Sequence, residues 1–154
     1  MVRELDVAAL VASLVSERTV DIITRGRRSG LARTTEIWTT LVDGTLYVCG
    51  TPAAGPDGMA AEPRDWLANL LVNPTFTLRL KRPVVVDLPA VATPVTDRAE
   101  RLRLFQAPQS RYYRDHSLSA GQFVAHAPVV RVELVDDAAP VSAALLAGRA
   151  SGSS

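Results

Sequence analysis

A chain of 154 residues with net charge +1 is most simply one domain, long enough to bury a proper core and too nearly neutral for a general nucleic-acid binder, whose surface is strongly basic. Hydrophobic residues make up 47% and charged residues 21%, which excludes a disordered chain, and the single cysteine, Cys49, excludes a disulfide framework or a thiolate metal cluster. His116 and His126, the only histidines, stand in no spacing with Asp or Glu that would ligate a metal.

The elements follow in chain order. The apolar run Val7 to Val15 has the length of a signal-peptide core, but Glu4 and Asp6 precede it and Glu17-Arg18 follow it. Its apolar positions 7, 10, 11, 14 and 15 predict an amphipathic helix and a cytoplasmic protein. No run approaches the roughly 20 apolar residues that span a bilayer. Residues 19–25, 34–42 and 45–50 read as strands, joined by the loop "GRRSG" (26–30) and by the two-residue turn Asp43-Gly44, an antiparallel meander.

A Gly- and Pro-punctuated loop (51–63) leads to a helix over 64–73, with Pro63 at its start and Trp66, Leu67, Leu70 and Leu71 on one face. Asn73-Pro74 ends it. Residues 75–80 and 84–95 are strands, the second interrupted by Pro89, which implies an edge or a bulge. Thr96 and Asp97 open a helix over 97–106, residues 107–122 lack any period, and 129–135 alternate as the last strand. The stretch 148–154 reads as a disordered tail, which leaves 1–147 as the single domain. The sum is a mainly β (α+β) fold of about six mostly antiparallel strands and three short helices, for which a closed or split β-barrel hides the sheet edges.

The stretch "TRGRRSGLARTTEIW" (24–38) carries Arg25, Arg27, Arg28 and Arg33 with Glu36 as its one acid. Arginine is common here, 16 against the single Lys81, a bias of GC-rich, actinobacterial-like genomes, so a solvated turn is one reading. The other is an anion site: like charges crowded into one loop repel unless an anion offsets them. Gly26, Ser29 and Gly30 would add backbone N–H groups and a hydroxyl to the bidentate guanidiniums.

"GRRSGLARTTEIW", followed by "RDWLANLLVNP" and "FTLRL", resembles the deazaflavin (coenzyme F-420)-dependent nitroreductase or quinone reductase family, whose members are split β-barrels akin to FMN-binding ones. The resemblance covers roughly residues 18–135. It implies an oxidoreductase that passes hydride from a reduced 8-hydroxy-5-deazaflavin to a quinone, enone or nitroaromatic. Carried over, Arg27, Arg28, Ser29, Gly30 and Arg33 hold the phosphate end of the coenzyme, with Thr34 and Thr35 alongside. The strand end Cys49-Gly50-Thr51 approaches the ring or ribityl chain through its backbone, and Trp66, Asn69 and Leu70 close the pocket. A tryptophan at helical spacing with leucines is a core residue more often than a pocket one, which is the other reading of Trp66, and Trp38 on the central strand reads as core. Late tyrosines line the substrate pocket in such proteins, a place Tyr112 or Tyr113 can take here, with a phenol or His116 as proton donor. Many relatives carry Ser-Lys-Gly where Thr51-Pro52-Ala53 stand, a difference that favours FMN as the alternative cofactor or a non-enzymatic binder of an anionic ligand. A homodimer is left open.

Overall fold

The computed structural model describes residues 6–16, 19–50, 65–82, 84–108 and 120–151. Six strands close on themselves: β1 (Thr19–Arg25), β2 (Ala32–Val42), β3 (Thr45–Cys49), β4 (Thr75–Leu80), β5 (Val86–Pro94) and β6 (Val129–Leu134). The order around the barrel is β1-β2-β3-β6-β5-β4, every pairing antiparallel, so the expected barrel is the observed one. Closure comes from β1 against β4, in the register Asp21↔Arg79, Ile22↔Leu78, Ile23↔Thr77. Asp43 and Gly44 take φ of 51° and 77°, the left-handed pair that a two-residue hairpin between β2 and β3 requires.

Pro89 lies inside β5 without breaking it. Its carbonyl accepts from Val135, so its missing N–H faces the β6 side, and β5 pairs with β6 only from Ala90 onward. The first residues of β5 are thus a local edge, where a proline costs no ladder bond.

Among the described residues five helices surround the barrel: α1 (Val7–Ser16), α2 (Asp65–Val72), α3 (Arg98–Gln106), α4 (Ala120–His126) and α5 (Ala139–Ser151), with a 3₁₀ turn at Asp136–Ala138. Asp97 caps α3 by accepting from the Glu100 N–H at 2.8 Å. Two helices exceed the three expected. The short α4 is held by its packing on α3, where Phe105 and Phe123 meet with ring centroids 5.2 Å apart. In α5, Val141 and Leu145 recur at i, i+4 and are buried against the barrel, and the helix continues to Ser151, into the stretch expected as a tail. No described helix is long and apolar enough to cross a membrane.

Two cores result. Val20, Ile22, Val48, Leu78, Leu88 and Val130 fill the barrel, which α1, α2 and α5 cover at Leu10, Leu14, Trp66, Leu70 and Leu145. Outside the wall, Tyr47, Cys49, Val95, Leu104, Phe105, Phe123 and Val129 pack beneath α3 and α4. Arg101, 9% exposed, ties this lobe together: it donates to the carbonyls of Val95 (2.7 Å), Val124 (2.7 Å), Phe123 (3.2 Å) and Ala127, satisfying the C-terminal end of α4. Trp38, expected in the core, instead stands on the outer face, 37% exposed. Along that surface Glu36, Asp21, Arg79 and Asp87 form a row across four strands, and Lys81 bridges the two acids Asp21 (3.0 Å) and Glu36.

Burial pushes the Cys49 thiol from its ordinary 9.0 up to about 12, and burial with the Glu100 hydrogen bond also raises the Tyr47 phenol. Both groups hold their proton more tightly when folded. Their contribution is therefore complete below the unfolded values and lost as pH rises through the folded ones. The urea midpoint should stay level to about pH 9 and fall between 9 and 12, less steeply in Cys49→Ala or Tyr47→Phe. A thiol reagent should label Cys49 only in denaturant.

Candidate functional site

The hairpin between β1 and β2 ends in the six-residue loop 26–31, which folds on itself. The Gly26 N–H donates to the Leu31 carbonyl (2.8 Å), the Gly30 N–H to the Gly26 carbonyl (2.8 Å), and the Leu31 N–H to Ser29 Oγ (3.1 Å). Gly30 sits at φ 71°, where a side chain would be strained. Arg25 Nη1 braces the turn from outside through the Gly30 carbonyl at 2.9 Å. The backbone N–H groups of Gly26 and Gly30, expected to face an anion, are thus committed within the loop. The Ser29 hydroxyl keeps its proton to donate.

Because β1 pairs with β4 as well as β2, the helix that leads into β4 comes to lie against this loop. Asn69 of α2, 4% exposed, clasps it: Oδ1 accepts from both the backbone N–H and Nη1 of Arg27 (3.1 Å each), and Nδ2 donates to Thr24 Oγ1 (3.3 Å). Asp65, at the start of α2, sits 3.6 Å from Arg27 Nη2. Between loop and helix opens a cleft of about 420 Å³, lined by Gly26, Arg27, Arg28, Ser29, Arg33, Thr34, Thr35, Asp65, Trp66 and Asn69. Arg27 is engaged by Asn69 and Asp65. The exposed guanidiniums of Arg28 and Arg33 have no ion-pair or hydrogen-bond partner among the described residues.

Most residues singled out in the sequence therefore meet at one place. Trp66 is both things expected of it, 6% exposed in the barrel core with part of its surface on the cleft. Gly50 approaches it from the end of β3: a Cβ there would lie 3.6 Å from the Trp66 ring and only 2.9 Å from Pro128. Neither Leu70, expected to close the pocket, nor Cys49, expected to approach through its backbone, is among the residues that line the cleft. Leu70 points into the barrel core, and Cys49 points out beneath α3, because Leu46 and Val48 of the same strand take the interior face. Thr51, Tyr112, Tyr113 and His116 lie outside the described residues, so the expected substrate wall has no geometry here. Sequence reading missed Asp65 and Thr24. The first could have been found as the first-turn residue beside Trp66, whereas nothing local marks Thr24 as the partner of an amide 45 residues away. Among the described residues no cluster of three or more His, Cys, Asp or Glu could hold a metal.

A family model described as F420H(2)-dependent quinone reductase matches residues 1–133. No curated protein sequence matches the chain significantly. Among solved structures, the fold is similar to the conserved hypothetical protein Rv2991 of Mycobacterium tuberculosis, 16% identical over 88% of this chain and 87% of that one, with a TM-score of 0.58. It is also similar to an FAD-binding protein of Mesorhizobium loti (13% identical, 87% and 93% covered, TM-score 0.59). A third likeness is to HutZ, the heme storage protein of Vibrio cholerae (13% identical, 87% and 92% covered, TM-score 0.58).

Asn69→Leu keeps the size but strands the Arg27 N–H and the buried Thr24 hydroxyl. It should lower stability by about 1–3 kcal/mol in urea unfolding, and hydrogen exchange at the Arg27 amide should quicken. Asn69→Asp, which retains the acceptor, should fall in between.

Proposed function

Because the chain belongs to the F420H(2)-dependent quinone reductase family, we propose that its cleft binds the anionic portion of coenzyme F-420 and that the protein is an oxidoreductase acting on an electron-poor quinone, enone or nitroaromatic. The observation that carries this reading is the pair of exposed guanidiniums, Arg28 and Arg33, facing a cleft without a partner among the described residues. A cleft of about 420 Å³ is within the usual range for small-molecule sites. Its donors suit phosphate: bidentate arginines, the Ser29 hydroxyl, and the hydroxyls of Thr34 and Thr35.

When bound, the coenzyme supplies the hydride, which leaves binding, orientation and the exclusion of water to the protein. Arg28 and Arg33 fix the anionic end. The hairpin that carries them is held by Asn69 at its loop, so their spacing is set before any ligand arrives, which lowers the ordering cost of binding. Trp66, packed by the barrel core, gives the cleft one rigid apolar wall. A proton for the reduced acceptor would come from Tyr112, Tyr113 or His116.

FMN in the same cleft is the second reading, favoured by one observation. The only lysine of the chain, Lys81, is committed to Asp21 and Glu36 on the barrel wall, and so does not assist in holding a long anionic tail. Titration of the protein with each cofactor, followed by tryptophan fluorescence, separates the two. Saturable quenching by the deazaflavin, tighter than by FMN, with oxidation of the reduced coenzyme when a quinone is added, is the expected result. Tighter FMN binding would install the second reading instead.

Arg28→Ala and Arg33→Ala should each weaken cofactor binding roughly tenfold to a hundredfold at low salt, and by less at moderate salt, where exposed charges are screened. Lysine should restore only part of the loss, since it lacks the planar fork. Thermal stability should barely move. Unchanged dissociation constants would show that these arginines face only water.

A further inference from the structure

Among the described residues, three arginines line the cleft, and one carboxylate lies among them. Asp65 is 92% exposed at the head of α2, lines the cleft, and stands 3.6 Å from Arg27 Nη2. Among the described residues its one ion-pair partner is Arg27. An ion pair that long and that exposed adds little stability, and the helix-dipole benefit of a first-turn acid is equally small. What it does affect is the cleft itself, whose dimensions place any bound anion within one Debye length of the carboxylate.

We propose that Asp65 is a specificity-determining residue that biases the cleft toward singly charged anionic groups, a phosphodiester or a carboxylate, over a doubly charged terminal phosphate. Two effects act in the same direction. The carboxylate offsets the charge of Arg27, which Asn69 already holds, leaving Arg28 and Arg33 as the ligand's cations. It also repels the ligand in proportion to the ligand's own charge, so a dianion is penalised twice as heavily as a monoanion. Two unit charges roughly 7 Å apart in a watery cleft repel by about a threefold change in affinity. For a dianion the same geometry gives about tenfold. The inference rests on the reading of the cleft as an anion site and adds to it which anions are admitted.

Three flavins that share one ring system test it: riboflavin (neutral), riboflavin cyclic phosphate (a monoanionic diester) and FMN, which is close to dianionic at pH 8. Each is titrated by tryptophan fluorescence against wild type, Asp65→Asn and Asp65→Glu at low salt. Asp65→Asn should leave riboflavin unchanged, tighten the cyclic diester about threefold and FMN about tenfold, and lose most of that gain at high salt. Asp65→Glu should behave as wild type. Melting temperatures of both variants should match wild type within about 2 °C, as expected of an exposed substitution. Equal affinities of Asp65→Asn and wild type for FMN at low salt overturn the inference, and so does a parallel gain for riboflavin, which would reflect shape rather than charge. A wild type that binds all three flavins alike overturns the anion-site reading itself.

Discussion

Strand β1 makes hydrogen bonds on both sides, to β2 and, through Asp21, Ile22 and Ile23, to β4. That second ladder closes the barrel, and the site depends on it. The β1–β2 hairpin carries the arginine loop, and the segment entering β4 carries α2. Once β1 lies between β2 and β4, the loop at the end of one neighbour and the helix at the start of the other must share a rim. An open sheet would have left the same residues far apart and exposed a long edge.

What then fixes the loop is a buried amide rather than a charge pair. Asn69 makes three hydrogen bonds at 4% exposure, two of them to Arg27, whereas the Arg27–Asp65 pair is long and solvated. Buried polar groups are costly to leave unpaired, and exposed ion pairs contribute little, so the geometry is held by the amide. The consequence is a division among four arginines of one hairpin. Arg25 braces the turn, Arg27 is held against the helix, and Arg28 and Arg33 are left to face the cleft. Arg101 makes the complementary point on the far side of the barrel. It is buried with four carbonyls for partners, and there the guanidinium organises helix ends rather than a ligand.

The sequence by itself determined the local structure. Alternation in 19–25 and 129–135 and apolar runs between turn residues placed the six strands, Asp43-Gly44 placed the β2–β3 turn, and Trp66 with the leucines placed α2, because each signal acts over a few residues through backbone sterics and one-sided burial. It also pointed to the stretch that forms the cleft, since six charged or hydroxyl residues within 27–35 stand out without any knowledge of the fold. Short helices were harder: α4 spans seven residues and contains a glycine, and it exists because Phe123 and Arg101 hold it against α3. Only the tertiary structure decided which groups remain available. Gly26 and Gly30 spend their N–H groups inside the loop, Leu70 and Cys49 turn away from the cleft, and Asp65 enters it. The physical reason is that a hydrogen bond or an ion pair is settled by where its partner lies. In a closed barrel those partners come from β1 and α2, more than 40 residues apart in the chain, and sequence pattern carries no record of that distance being closed.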